Sequence, residues 1–295
     1  MTPSIRKSVP QPLQRAGRKL YVSTGSMSSG LRVKPDFIMI GASRGGTTSL
    51  FRALMEHQDV VRPTFHKGIN YFDLNYYRGP SWYAGHFPTR RAASRKVTPG
   101  HQPQVFEASG YYMFHPFAPE RMAQDLPSVK LVVMLRDPVE RAYSAYQHEV
   151  SRGYEHESFD RALALEPERL SGEVELMRRD PAYESFPHRH HSYVGRGEYA
   201  ALLERWLCHF PREQIHVMAS ELFFTEPETT FENLARFLGL SPQPGMRFKR
   251  YNAEPRSGMD QQTMKQLDDH FAPHNEHLAR LLGDTWRPPP WLQRR

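Results

Sequence analysis

The chain is expected to fold as an α/β domain of three layers, a central parallel sheet flanked by helices. Three observations carry this: short apolar runs that break at turn residues, amphipathic stretches between them, and a Gly-rich turn joining the first run to the first amphipathic stretch. Asp36-Phe37-Ile38-Met39-Ile40 is apolar through its body and stops at Gly41, as a buried strand does. Beyond the turn, Leu50, Ala53 and Leu54 recur at helical spacing. Val129–Leu135 reads as another strong strand, and Pro138 suits the first turn of a helix running to about Val150 with Arg141, Ser144 and His148 on it. Tyr199, Leu202, Leu203, Trp206, Leu207 and Phe210 make one apolar stripe on a further helix. A strand over Gln214–Met218 and a helix over Pro227–Leu238 follow. Strands that alternate with helices pair in parallel and are covered on both faces. Pro242, Pro244 and Pro255 mark residues 241–259 as loop, and an amphipathic helix over Gln261–Leu282 precedes the Pro-rich end.

With 295 residues, 39% of them hydrophobic, the chain can bury one large core. It has no apolar run of the roughly 18 residues that a membrane-spanning helix needs. Cys208 has no internal partner for a disulfide, and no apolar leader opens the chain, which suits a reducing, cytoplasmic setting. Residues 1–34 hold Arg6, Lys7, Arg15, Arg18, Lys19, Arg32 and Lys34 and no acid. Their charge equals the +7 of the whole chain, so the remainder is formally neutral and a nucleic-acid partner is not expected. This Ser/Pro/Gly-rich stretch is expected to be a disordered basic tail, with the folded domain over residues 35–295 and a polar, partly helical insertion at about 152–197.

The turn reads Gly41-Ala42-Ser43-Arg44-Gly45-Gly46-Thr47-Thr48-Ser49. Glycines let the backbone wrap an anion with its N–H groups inward, and the helix that follows adds partial positive charge. Arg44 contributes a fixed charge and Thr47, Thr48 and Ser49 contribute hydroxyls. The turn is P-loop-like with one change: Thr47 stands where a Walker A loop places the Lys that holds the β- and γ-phosphates. A compact anion suits it better than a triphosphate with magnesium, which argues against the alternative of a P-loop kinase. Further along, Arg136 leaves the end of the second strong strand and Ser144 lies on the next helix, so both can meet a phosphate over the sheet edge.

On these residues the chain resembles the PAPS-dependent sulfotransferases (PAPS is 3′-phosphoadenosine 5′-phosphosulfate), and most closely the branch of heparan sulfate sulfotransferases and their bacterial relatives. That family's 5′-phosphosulfate turn, Gly-x-x-Lys-x-Gly-Thr-Thr, is matched by Gly41, Arg44, Gly46, Thr47 and Thr48, with Arg in place of Lys. Its 3′-phosphate segment, Arg-x-Pro-x-x-Arg-x-x-Ser, is matched by Arg136, Pro138, Arg141 and Ser144. The resemblance extends over about residues 35–282. It implies phosphate contacts for Ala42 to Ser49, Arg136 and Ser144, a structural role for Arg141, and a nucleotide contact for Arg256 and Gly258 in the C-terminal loop. It also implies sulfuryl transfer, without metal, to a hydroxyl or amine of a carbohydrate, glycolipid or small molecule.

The proton acceptor departs from the family. Its Lys-Glu-Ile-His-Phe-Phe segment aligns with Lys67-Gly68-Ile69-Asn70-Tyr71-Phe72, so Gly68 stands in place of the Glu, and Ala108 in place of a later Lys. Glu107, His66 and Asp73 are the local substitutes, with Arg44 as the catalytic cation. A non-catalytic nucleotide-binding relative is the alternative that this loss motivates. His188, His190 and His191 lack the spacing of a zinc site and are expected on a substrate-facing loop.

Overall fold

The computed structural model describes residues 11–249, 258–283 and 286–293. Five strands, β1 (Phe37–Gly41), β2 (Val60–Val61), β3 (Gln104–Ala108), β4 (Lys130–Leu135) and β5 (Ile215–Ala219), form one sheet in the order β2-β3-β1-β4-β5. Every pairing is parallel. The helices are α1 (Gln11–Met27), α2 (Thr47–Glu56), α3 (Tyr71–Leu74), α4 (Gly79–Ala84), α5 (Arg90–Ser94), α6 (Ala118–Asp125) and α7 (Pro138–Ser151). They continue as α8 (Phe159–Leu170), α9 (Glu173–Arg179), α10 (Phe186–His190), α11 (Tyr199–Leu207), α12 (Ser220–Thr225), α13 (Pro227–Leu238) and α14 (Gln261–Leu282).

The period-two alternation of strand side chains sorts the core into two layers. Ile38, Ile40, Leu131, Val133 and Val217 pack on one face with α6, α11 and α14, through residues such as Met122, Trp206 and Leu278. Phe37, Met39, Phe106, Val132 and Met134 face the other way, onto Leu50 and Leu54 of α2 and Phe231 and Leu234 of α13. A third cluster joins Val139, Ala142 and Tyr143 of α7 to Phe159, Tyr193 and Phe271. The expected three-layer α/β architecture is therefore observed, and the strong strands and helices fall within a residue or two of their expected bounds.

The N-terminal stretch is a correction. Residues 1–10 lie outside the described residues, but Gln11–Met27 is helix rather than disordered tail. Its docking face is small and aromatic. Val22 is buried, Tyr21 meets Phe65 edge-on at 4.9 Å, and a Cβ on Gly25 would stand 2.7 Å from the Gly85 carbonyl oxygen. Arg32, counted among the tail cations, is buried and donates to the carbonyls of Gly85 and Phe87. A basic composition predicts disorder only where no apolar face exists, and here a narrow one does. The expected insertion contains α8, α9 and α10 and ends in a 3-10 turn at Gly195–Gly197.

Candidate active site

Because β1 lies between β3 and β4, the chain reverses direction across the sheet at the β1/β4 boundary. Ligands of open parallel sheets bind at such a point, beyond the carboxyl ends of the strands. A cavity of 1080 Å³ opens there, lined by residues just past the ends of β1 (Ser43, Arg44), β3 (Ser109, Gly110), β4 (Arg136, Asp137) and β5 (Ser220, Glu221). Its volume is just above the range of about 300–1,000 Å³ usual for small-molecule sites.

The turn after β1 is built as its glycines demand. Gly45 cannot carry a side chain, since a Cβ would come within 2.5 Å of the Met134 carbonyl oxygen. Gly46, at φ +87°, caps α2, and Arg44 itself has φ 67°, a left-handed conformation that disfavours a side-chain-bearing residue. Ser43, Arg44, Gly46, Thr47 and Thr48 line the cavity. Ala42, Gly45 and Ser49 do not. Ala42 and Ser49 are buried, and the Gly45 N–H closes the turn onto the Ala42 carbonyl at 3.0 Å. These three shape the loop from behind.

The two anion motifs meet. Arg44 Nε donates to Ser144 Oγ at 3.1 Å, and Arg136 Nη1 reaches the Arg44 carbonyl at 3.4 Å. Arg136 also pairs with Glu140 at 3.1 Å. Asp137 caps α7 by accepting from the N–H of Val139 and of Glu140, while its own N–H donates to Glu221. Glu221 in turn accepts from the indole N–H of Trp291, which brings the C-terminal turn to the cavity wall. Arg141 is fully buried and donates to the Tyr193 carbonyl. Arg256 lies outside the described residues, and Gly258 is exposed and away from the cavity lining.

Lys67 was missed as a site residue. Its Nζ donates to Thr47 Oγ1 at 3.1 Å and approaches Thr48 Oγ1 at 3.4 Å, setting an ammonium over the first turn of α2. Burial lowers its pKa to about 8. The cation absent from the Walker position of the turn is thus supplied from another segment. The available signal was the Lys beside Gly68 in the aligned stretch. Gly68 is itself obligatory: a Cβ there would lie 2.6 Å from both the Ala108 carbonyl oxygen and Ser109 Oγ. No side chain fits in this backbone, so the family's Glu cannot be accommodated.

The expected proton acceptors are corrected. Glu107 has no exposed surface and does not line the cavity. Its carboxylate accepts from the Ile69 N–H (2.9 Å), Ser109 Oγ (2.9 Å), Tyr112 OH (2.8 Å) and Tyr83 OH (3.1 Å). Burial raises its pKa against those four bonds. With its acceptor sites committed to the fold, it cannot reach a substrate. His66 is exposed outside the lining, where partial burial and the neighbouring Arg18 charge lower its pKa. Asp73 is buried, its pKa pushed up to about 7 by that burial, and it too lies off the cavity.

The histidine segment divides among separate partners. His188 Nδ1 meets Tyr111 OH at 2.7 Å with its ring stacked on Phe114, His190 Nδ1 meets Glu149 Oε2 at 3.0 Å, and His191 Nε2 bonds the Tyr154 carbonyl. Only His190 of the three lines the cavity, together with Glu149, His148, Arg152, Arg189 and Arg196. Burial pushes the Glu149 carboxyl up, but the bond to His190 and the charges of His190 and Arg152 outweigh it and hold the pKa low. Carboxylate and imidazole therefore form an oriented pair at the cavity wall.

Several known proteins are similar to this chain. The chain is 27% identical to bifunctional heparan sulfate N-deacetylase/N-sulfotransferase 3 of Homo sapiens, over 88% of this chain and 31% of that one. It is 28% identical to the corresponding bifunctional enzyme of Drosophila melanogaster, over 88% of this chain and 27% of that one. It thus spans under a third of the length of these relatives. Among solved structures, a sulfotransferase from Alicyclobacillus acidocaldarius superposes with a TM-score of 0.63 at 30% identity, covering 88% of this chain and 99% of the other. Among the described residues no helix is long and apolar enough to cross a membrane. The sulfotransferase domain model matches residues 34–272, which takes in the turn after β1, Lys67 and the Arg136–Ser144 segment alike, and the chain belongs to that family of sulfuryl-transferring enzymes.

Proposed function

We propose that the cavity binds PAPS across the ends of β1 and β4 and passes its sulfuryl group to a hydroxyl or amine of a polar, carbohydrate-like acceptor. The observation that carries this reading is the convergence of Arg44, Lys67, Arg136 and Ser144 on one cavity. The residues suit the donor: a backbone turn too tight for side chains at Gly45, a helix N-terminus, and two cationic ends for two phosphate groups. The donor supplies an activated sulfuryl group. Arg44, Lys67 and the N–H groups of Thr47 and Thr48 take the 5′ end and stabilise the charge that grows on the departing phosphate oxygen. Arg136 and Ser144 take the 3′-phosphate, and the aromatic faces of Phe224 and Trp291 stand by for the base. Arg256 and Gly258 remain proposed nucleotide contacts from the C-terminal loop.

His190 takes the proton from the acceptor as the new sulfur–oxygen or sulfur–nitrogen bond forms, and Glu149 holds the imidazole in place. This pair stands in for the Glu that Gly68 excludes, which weighs against a non-catalytic reading. The acceptor wall carries Asn70, Ser109, His148, Arg152 and Arg189, suited to a sugar or other hydroxyl-rich compound rather than an apolar one. The relatives whose names include heparan sulfate N-sulfotransferase fit this class. A reducing, cytoplasmic compartment suits the exposed thiol of Cys208.

The test is calorimetric binding of adenosine 3′,5′-bisphosphate, compared with ATP–magnesium, followed by transfer of labelled sulfate from PAPS to a glycan and metabolite panel. Binding of ATP–magnesium alone would overturn the reading. Losing one charge-assisted contact costs about 1.5–3 kcal/mol, so Arg136→Ala should weaken the bisphosphate about 10- to 100-fold, and Ser144→Ala less. Normal affinity in Arg136→Ala would remove the second phosphate site. His190→Asn should lower kcat about 100-fold on an acceptor found in that panel, with donor affinity retained. Undiminished turnover would exclude His190 as the base.

A further inference from the structure

At the middle of α14, His270 and His274 stand one turn apart with ring centroids separated by 5.1 Å. Both direct Nε2 at one atom, Glu198 Oε1, at 3.2 and 3.8 Å. One donor atom from each of the three residues lies within 4.8 Å of the others. Zinc bonds to imidazole nitrogen and carboxylate oxygen measure about 2.0–2.2 Å, which puts neighbouring donors in a tetrahedral shell about 3.3–3.6 Å apart. The three side chains are therefore close to closing on an ion through small rotamer shifts. Two histidines at i and i+4 on one helix face, with a carboxylate from elsewhere in the fold, form a donor set that favours zinc and its neighbours over magnesium or calcium.

We propose that Glu198, His270 and His274 bind a divalent transition-metal ion, zinc by preference, with the remaining position open to water. None of the three lines the reaction cavity, so the ion takes no part in sulfuryl transfer. Its place is mechanical. Glu198 lies between the Gly195–Gly197 turn and α11, and Arg196 of that turn lines the cavity. Phe271, fully buried beside the two histidines, packs so closely on Gly197 that a Cβ there would come within 2.7 Å of its ring. An ion at Glu198 therefore fastens α14 to the segment that presents Arg196. The same seam continues one turn on, where His277 meets Glu204 at 2.9 Å.

The experiment uses the full chain without an affinity tag, stripped with a chelator and titrated with zinc by calorimetry and with cobalt by visible absorption. The expected result is one ion per chain with Kd at or below about 10 μM, a zinc-dependent rise in Tm, and a cobalt spectrum of nitrogen and oxygen donors. His274→Asn and Glu198→Gln should each weaken zinc at least tenfold, while His277→Asn should leave it unchanged. These positions are partly solvent-exposed, so the variants should fold, and far-ultraviolet circular dichroism checks that they do. No binding below about 100 μM, or equal affinity in a His270→Asn/His274→Asn double variant, would overturn the proposal.

Discussion

Replacing Lys67 with alanine is expected to lower kcat/KM for the sulfuryl donor by about 100- to 1,000-fold, the range seen when one preorganised oxyanion donor is lost. The argument rests on position and surroundings together. The ammonium bridges the hydroxyls of Thr47 and Thr48 at the N-terminus of α2, where an incoming anion also meets the partial positive charge of the helix end. Partial burial strengthens any charge interaction there and at the same time lowers the Lys67 pKa to about 8. At pH 7 the side chain is mostly cationic. As pH rises through about 8 the charged fraction of the free enzyme falls, so donor kcat/KM should decline across that range. A bound anion favours the charged form, so kcat itself should hold to higher pH. Lys67→Arg keeps the charge and should abolish the decline near pH 8 even if its rate is lower. A Lys67→Ala enzyme within threefold of the parent, or a flat donor profile from pH 7 to 9, would show that the ammonium does not face the reacting anion.

Glu107→Ala should destabilise the protein by at least about 3 kcal/mol while leaving the chemistry of folded molecules nearly unchanged. Four donors converge on this carboxylate in a site with no exposed surface, and each donor left unmet costs about 1–3 kcal/mol. Hydroxyls of Ser109, Tyr83 and Tyr112 can turn towards other acceptors, so the lower end of the sum applies. The Ile69 N–H has no such freedom. For a domain of this size the Tm should fall by about 6 °C or more. Glu107→Gln should also be destabilising, because its amide NH2 cannot accept from the donors that now surround that oxygen. Rate per folded molecule, measured well below the transition, separates stability from catalysis. A Glu107→Gln variant of parental Tm but abolished turnover would restore Glu107 as the proton acceptor.

Local pattern was enough wherever one feature carried the whole signal. Pro138 announces the start of α7, and the stripe through Leu202, Leu203 and Trp206 announces α11. The turn after β1 was equally legible, because glycine is the residue that tolerates the contact at Gly45 and the left-handed backbone at Gly46. The N-terminal helix was not legible. Its docking depends on Gly85 and Phe65, far along the chain, and charge composition says nothing about a surface that lies ready to receive it. Glu107 misled for a related reason: a carboxylate near an apparent active site looks catalytic until its four donors are placed around it.

What could be read from residue order was therefore everything carried by short-range geometry: the alternating elements, the parallel sheet, the two anion motifs and the family they signify. Which side chains share the cavity was settled by packing. Lys67 reaches Thr47 from 20 positions away, Arg44 meets Ser144 across 100, and Glu149 finds His190 across 41. Charges and hydrogen bonds act over a few ångströms of space whatever their separation along the chain. The sheet order, with β1 next to β4, brings the Arg44 turn and the Ser144 helix within that reach, and helix packing does the same for Glu149 and His190.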